Sequence, residues 1–280
     1  MSLVKKDEWW EETRNFKKTV KEEYLDINET LAELENTSSV IRLELNTIEL
    51  PLFSKDPKRI KNQIKVYHFK TDKSSYLEIE APANYSIPGE FEERVFIALT
   101  KIMKNNNYSR RFVVSASEIL ETLGLTNFFY YKKIKDALTL LSKTNYTFLN
   151  SLYSNKESGI IEKKIMSNIM NITIISKKDS RAKEIEAFED GRIKEVYEIN
   201  FTDYFYENII RKGYLAFDSG KLLAIENSVS RAIYTIVEKW RGYDLYIKRQ
   251  AFFIARRIPL KWDKTQIKRT IDTMEKALIE

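Results

Sequence analysis

The chain has 280 residues, 43% hydrophobic and 31% charged, with a formal net charge of +6, one histidine (His68) and no cysteine. That composition supports one or two real cores, and it excludes disulfides, Cys/His zinc sites and the histidine pair that a metal-dependent nicking tyrosine requires. No apolar run approaches the ~18 residues of a membrane span and the N-terminus lacks a signal peptide's apolar stretch, so a cytoplasmic location is expected.

Residues 7–36 place Phe16, Val20, Tyr24, Ile27, Leu31 and Leu34 three and four apart, which predicts one long amphipathic helix. The stripe serves either an arm packed on its own domain or an oligomerisation contact, and a homodimer is expected. Residues 1–36 carry a net −4, which leaves +10 on the rest of the chain. Strand-like alternation follows at Val40–Leu45, then at 63–69 and 75–80. His68 lies in the second of these runs, where a structural role is expected.

At Glu90 the period changes. Phe91, Val95, Phe96, Leu99, Ile102 and Met103 predict a helix, with Glu90, Glu92 and Glu93 as a solvated first turn favoured by the helix dipole. Arg110-Arg111 and Phe112-Val113-Val114 lead to a helix capped by Ser115 or Ser117 and stopped by Gly124 at C′. A third helix begins near Thr126-Asn127, with Tyr131, Ile134, Ala137, Leu138 and Leu141 inward and Tyr130, Lys132, Lys133 and Lys135 outward. Strands at 146–149, 159–164 and 169–175 follow, with Lys156 at the tip of the intervening turn. Three helices followed by a β-hairpin is the winged-helix order, with the third as recognition helix. Residues 177–193 are polar and read as a long wing, a linker or both.

A second helical region contains Phe201–Ile210, a helix through Val229, Ile233, Ile236, Val237 and Trp240, a third at Tyr246–Arg257, and a fourth at 263–279 capped by Asp263. Ile267, Ile271, Met274 and Leu278 form the stripe of the last. The predicted fold is thus α+β: a helical arm (1–38), a winged-helix domain (39–180) and a second winged-helix domain (181–280) lacking its C-terminal wing.

Basic residues fall on the elements that this order assigns to DNA. In the second unit Lys264, Gln266, Lys268 and Arg269 lie beside the apolar stripe, where Gln and Arg side chains suit adenine and guanine edges. Lys248, Arg249, Arg256 and Arg257 suit phosphates. The first unit offers Arg110, Arg111, Tyr130, Lys132, Lys133, Lys135 and Lys156. The second unit is expected to be the main base reader. Ser219-Gly220-Lys221-Leu222 lacks the hydroxyl that a phosphate-binding loop places after its lysine, so no nucleotide, metal or other cofactor and no enzymatic activity are expected.

Residues from about 46 to 175 resemble the replication initiator protein A family of plasmid initiators. The matching pieces are Glu49-Leu50-Pro51-Leu52-Phe53-Ser54, Leu77-Glu78-Ile79-Glu80-Ala81-Pro82, Ile87-Pro88-Gly89-Glu90-Phe91-Glu92-Glu93-Arg94-Val95-Phe96-Ile97-Ala98-Leu99, the Ser117–Gly124 helix and Tyr131–Lys143. Gly89 stands where Thr is usual and Glu92 where Asp is usual. The resemblance implies binding to repeated double-stranded sites at a plasmid origin, duplex opening and recruitment of bacterial host replication proteins. A winged-helix transcription regulator and a structural or assembly protein that binds no DNA are the alternatives.

Overall fold

The computed structural model describes residues 39–127, 129–180, 185, 191–260 and 265–279. The expected N-terminal arm, with Phe16, Val20, Tyr24, Ile27, Leu31 and Leu34, lies outside the described residues, as do Asp263 and Lys264. The helices and cores of the described residues belong to one compact unit, Ile41–Glu280. Among the described residues no helix is long and apolar enough to cross a membrane.

The fold mixes α-helices with antiparallel sheets. A short pair joins β1 (Val40–Glu44) to β11 (Tyr214–Asp218). A four-stranded sheet runs β2 (Ile64–His68), β3 (Tyr76–Glu80), β5 (Asn145–Leu149) and β8 (Lys164–Ser167). A three-stranded sheet runs β4 (Arg111–Val114), β10 (Glu195–Phe201) and β9 (Met170–Ser176), and β6 (Tyr153–Ser154) and β7 (Gly159–Ile160) form a tight hairpin. The helices are α1 (Leu45–Glu49), α2 (Glu90–Asn105), α3 (Ala116–Thr122), α4 (Tyr130–Lys143), α5 (Asp203–Ile210), α6 (Ser219–Ala224), α7 (Ser228–Arg241), α8 (Ala251–Arg257) and α9 (Ile267–Ile279).

Among the described residues two larger apolar clusters organise these elements, and a small third joins Ile175 of β9 to Val196 of β10. The larger runs from Ile41 to Leu223 and includes Leu77, Phe96, Ile134, Phe148, Ile199 and Phe205. The smaller joins Val229 and Ile233 of α7, Ala255 and Ile258 at α8, and Met274 and Ala277 of α9. The first core therefore continues through β10, α5, β11 and α6, past the boundary expected at residue 180, because β10 pairs with both β4 and β9. The hairpin expected after the third helix is not formed by the strands the sequence suggests. Tyr146–Leu149 pairs with β3 and β8 in the four-stranded sheet. The hairpin that follows the three helices onto β4 is β9–β10, joined through residues 177–194. Local sequence favours pairing near neighbours, but β10 carries the buried residues Val196, Tyr197, Ile199 and Phe201 that suit the central strand between β4 and β9.

The second cluster is smaller than expected. The helix anticipated from Tyr246 starts only at Ala251, and Tyr243, Leu245 and Tyr246 are 82–96% exposed in the preceding segment. In α9 the buried positions are Thr270, Met274 and Ala277, while Leu278 is 65% exposed, so the inward face is rotated from the expected stripe.

Acidic side chains hold the parts together. The expected solvated turn at Glu92 and Glu93 is instead buried. Glu92 accepts from the Gly89 N–H (2.6 Å), the one arm of a capping box that a glycine N-cap leaves, and receives Arg59 at 2.7 Å. Glu93 receives Lys55 at 2.6 Å and Arg231 of α7 at 2.8 Å. Arg231 also donates to the Ile225 carbonyl at 2.6 Å and is 1% exposed, so this ion cluster joins α2 to the second helical group. Glu49 in the same way receives Lys239 and Arg257. Buried Glu44 accepts from Asn46 (2.7 Å), Asn208 (2.5 Å) and the Thr47 N–H (3.0 Å). Both asparagines also grip the backbone of the β6–β7 hairpin at Tyr153. Desolvation pushes the Glu44 carboxyl up to about 7, against the hydrogen bonds that favour its ionised form.

Candidate nucleic-acid interface

The interface is built around α3 and α4. Ser115 caps α3 by accepting from the Glu118 N–H at 3.2 Å. At its other end Gly124 adopts φ +68°, its N–H bonds the Glu121 carbonyl (3.0 Å), and the Leu125 N–H bonds that of Leu120 (2.9 Å). This pair of bonds is a Schellman stop, and it turns the chain so that α4 can cross behind α3. Ile134, Ala137, Leu138, Leu140 and Leu141 anchor α4 in the core.

The outward face of α4 differs from expectation by one residue. Tyr130 lies on Phe91 of α2 with ring centroids 6.0 Å apart, and Lys133 sits over it at 5.2 Å. Tyr131, assigned inward from the sequence, is 46% exposed. Tyr130 is thus a packing residue, and Tyr131, Lys132 and Lys133 form the solvent-facing start of the helix.

Beside this face the β9–β10 hairpin closes a cleft of about 610 Å³, lined by Ser117, Tyr131, Lys132, Arg192, Lys194 and Tyr197 among others. The ladder continues past the last strand residues through the Lys177 N–H to the Lys194 carbonyl at 3.0 Å. Lys177, Lys178, Arg192 and Lys194 are all exposed. Lys135 does not project freely, because both carboxylate oxygens of Glu195 on β10 receive it at 3.0 and 2.9 Å. Burial pushes the Glu195 carboxyl up, but the Tyr197 hydroxyl donating at 2.6 Å and the Lys135 ammonium outweigh it and hold the group below its ordinary value. The bond fixes α4 against the hairpin. The signal for Arg192 was the polar run 177–193, one reading of which was a wing, and Lys194 follows directly after it.

Other expected contacts have structural roles. Arg110 bonds the Phe201 carbonyl (2.8 Å) and pairs with Asp203 (2.6 Å), bracing β4 against the β10–α5 junction. Arg111 pairs with Glu198 across the β4–β10 ladder at 2.8 Å. Lys156 lies on the turn between β6 and β7, away from the hairpin that flanks α4.

In the second helical group Lys268 and Arg269 are exposed near the start of α9 and Gln266 is half-buried. Lys248 is exposed. Arg249 lies over Trp240 (6.0 Å) and Arg256 over Phe252 (5.3 Å). Arg257 is tied to the Glu49 carbonyl (3.3 Å) and carboxylate (3.4 Å), so it docks α8 onto α1.

Two crystal structures of domains 2 and 3 of RctB share this fold. One, of selenomethionine derivatives, has a TM-score of 0.57 at 13% identity, with 84% of each chain covered. The other has a TM-score of 0.50 at 13% identity, covering 81% of this chain and 80% of that one. No curated protein matches the sequence. The replication initiator protein A family matches residues 42–247, wider than the motifs from about 46 to 175 suggest, and reaches from β1 into the segment before α8. With that match across most of its length, the chain belongs to the replication initiator protein A family.

Proposed function

We propose that the chain binds repeated double-stranded sites at a plasmid origin, reading DNA with α4 and gripping the backbone with the β9–β10 hairpin. In this reading the bound initiator opens the duplex and recruits host replication proteins. The observation that carries it is the cleft itself: Tyr131 and Lys132 of a helix-turn-helix face Arg192 and Lys194 of a following hairpin. The order α2–β4–α3–α4, followed after the inserted strands β5 to β8 by the β9–β10 hairpin, with sheet order β4-β10-β9, supports a winged-helix reading. Helices α7, α8 and α9 repeat it, with 14, 7 and 13 residues against 16, 7 and 14 in α2, α3 and α4. That repetition supports a tandem arrangement with Gln266, Lys268 and Arg269 as a second reader.

The test is binding of the full chain to its origin repeat and to random duplex across a salt series. Binding should weaken steeply with salt as phosphate contacts release counterions. Lys132→Ala should cost about 1–3 kcal/mol on the repeat and less on random duplex if it reads a base, whereas Lys194→Ala should weaken both alike. Salt-indifferent binding would remove the reading. If only Arg269→Ala changes the specificity ratio, α9 is the principal reader.

A further inference from the structure

Strand β2 is the outer strand of the four-stranded sheet. Its ladder with β3 is flanked by the bonds from the Ala81 N–H to the Gln63 carbonyl (3.0 Å) and from the Phe69 N–H to the Ser75 carbonyl (2.9 Å). In an antiparallel pair the bonded residues alternate. The odd-numbered residues of β2 therefore bond to β3, and the N–H and C=O groups of Ile64, Val66 and His68 point the other way. Among the described residues these outward groups have no partner. Ile64 and Val66 are also 59% and 40% exposed, so among the described residues no further strand covers this edge.

The edge does not face open solvent. Val66, His68 and Phe69 form one wall of a groove of about 810 Å³ whose other wall carries Trp240, Phe253 and Arg256. Phe253 is 53% exposed, and Arg249 and Arg256 are exposed with their guanidinium groups over aromatic rings. Neither arginine pairs with a carboxylate among the described residues. Lys61 and Lys70 at the ends of the strand add further exposed positive charge.

We propose that this groove receives an extended acidic segment of a partner protein, which adds to β2 as a fifth strand. The main-chain groups of the segment would satisfy Ile64, Val66 and His68, its carboxylates would meet Arg249 and Arg256, and its apolar side chains would cover Trp240 and Phe253. Strand addition between a sheet edge and a helical wall is an established way to bind an extended peptide. A single strand fits such a slot. A second copy would bring its own β2 together with its own helical wall, and the two walls would collide. A nucleic-acid strand would leave the outward N–H and C=O ladder unmatched. The proposal does not depend on which helix reads DNA.

The experiment uses the full chain and a fluorescein-labelled ten-residue peptide of alternating glutamate and valine, followed by anisotropy and residue-resolved amide exchange. We expect saturable binding with slowed exchange at Ile64, Val66 and His68, and no binding of the matching lysine–valine peptide. Arg249→Glu with Arg256→Glu should weaken the peptide at least about tenfold, and in Val66→Pro duplex DNA binding should stay within about twofold. Val66→Pro removes the central outward N–H without touching the β3 ladder and should abolish peptide binding; if it does not fold, the charge reversal decides. Equal binding of the lysine peptide, or binding without protection of those three amides, overturns the proposal. So does protection that grows with protein concentration alone, which assigns the edge to a second copy. Protection by a twenty-residue oligothymidylate in place of the peptide, or in Val66→Pro a loss of duplex binding equal to the loss of peptide binding, overturns it as well.

Discussion

Replacing Glu93 with glutamine should be strongly destabilising although it changes a single atom of the side chain's shape. Glu93 is the one carboxylate shared by Lys55 and Arg231, whose side chains are 7% and 1% exposed. The amide keeps the volume but removes the charge, and its NH2 group must face one of two donors. Breaking a buried ion pair by removing one partner costs about 3–5 kcal/mol, a large part of the roughly 5–15 kcal/mol that stabilises a domain. Lys55 offers partial relief. Burial already lowers its ammonium below the usual lysine range, with Arg231 adding to the effect and Glu93 opposing it. Without Glu93 the folded state should release the Lys55 proton at still lower pH than the unfolded chain does. Stability of the variant relative to wild type should therefore recover as pH rises toward the ordinary lysine value. Urea unfolding followed by circular dichroism at pH 7 and pH 9.5 measures both effects. Lys55→Met is the control, because it leaves Arg231 and Glu93 as a neutral pair and should cost far less. A penalty under about 1 kcal/mol for Glu93→Gln, or one equal to that of Lys55→Met, would refute the electrostatic argument.

The geometry sets three further outcomes. Glu44, raised to about 7 by desolvation, holds its proton more tightly folded than unfolded, so its contribution is present below the unfolded value of 4.5 and fades as pH rises through 7. The stability difference between wild type and Glu44→Gln should accordingly shift against wild type by up to about 3 kcal/mol from pH 4.5 to pH 8, read from urea midpoints. Gly124→Ala forces a side chain into φ +68° at the stop of α3 and should lower stability by about 1–2 kcal/mol, measured by thermal unfolding. Tyr131→Ala should weaken duplex binding with little change in Tm, whereas Tyr130→Ala should lower Tm and leave the surviving folded protein's affinity intact; the opposite pattern would restore the phase expected from sequence.

Much of the first unit is legible because its signals are local. The apolar spacing that buries Val95, Phe96, Leu99, Ile102 and Met103 on α2, and the Ser115 and Gly124 boundaries of α3, appear where the chain predicts them. The Tyr130–Tyr131 exchange was within reach: Tyr130, Ile134, Ala137 and Leu141 fall close together on a helix of about 3.6 residues per turn, with Tyr131 to one side. What escaped depends on distant partners. The fate of Glu93 is decided by Arg231, 138 residues away. The pairing of the second hairpin is decided by β10, whose partners β4 and β9 lie on either side in sequence of the inserted strands β5 to β8. Arg257 looks like a phosphate ligand until Glu49, 208 positions earlier in the chain, is beside it. For the proposed reader, basic composition locates the right stretch of helix, but only the fold separates cations that project from cations already neutralised.

One junction bears on how such a helix would meet a duplex. A single residue, Thr144, separates α4 from β5, and it is fully buried with its hydroxyl bonded to the Leu140 carbonyl at 2.7 Å. The C-terminal end of α4 is thus clamped into the four-stranded sheet, while the Lys135–Glu195 pair holds its first half to β10. A helix fastened at both ends cannot tilt to follow a groove. In an encounter with DNA the strain would fall on the nucleic acid, so sequences that bend or widen cheaply at the flexible pyrimidine–purine steps would bind best, even at base pairs no side chain reaches.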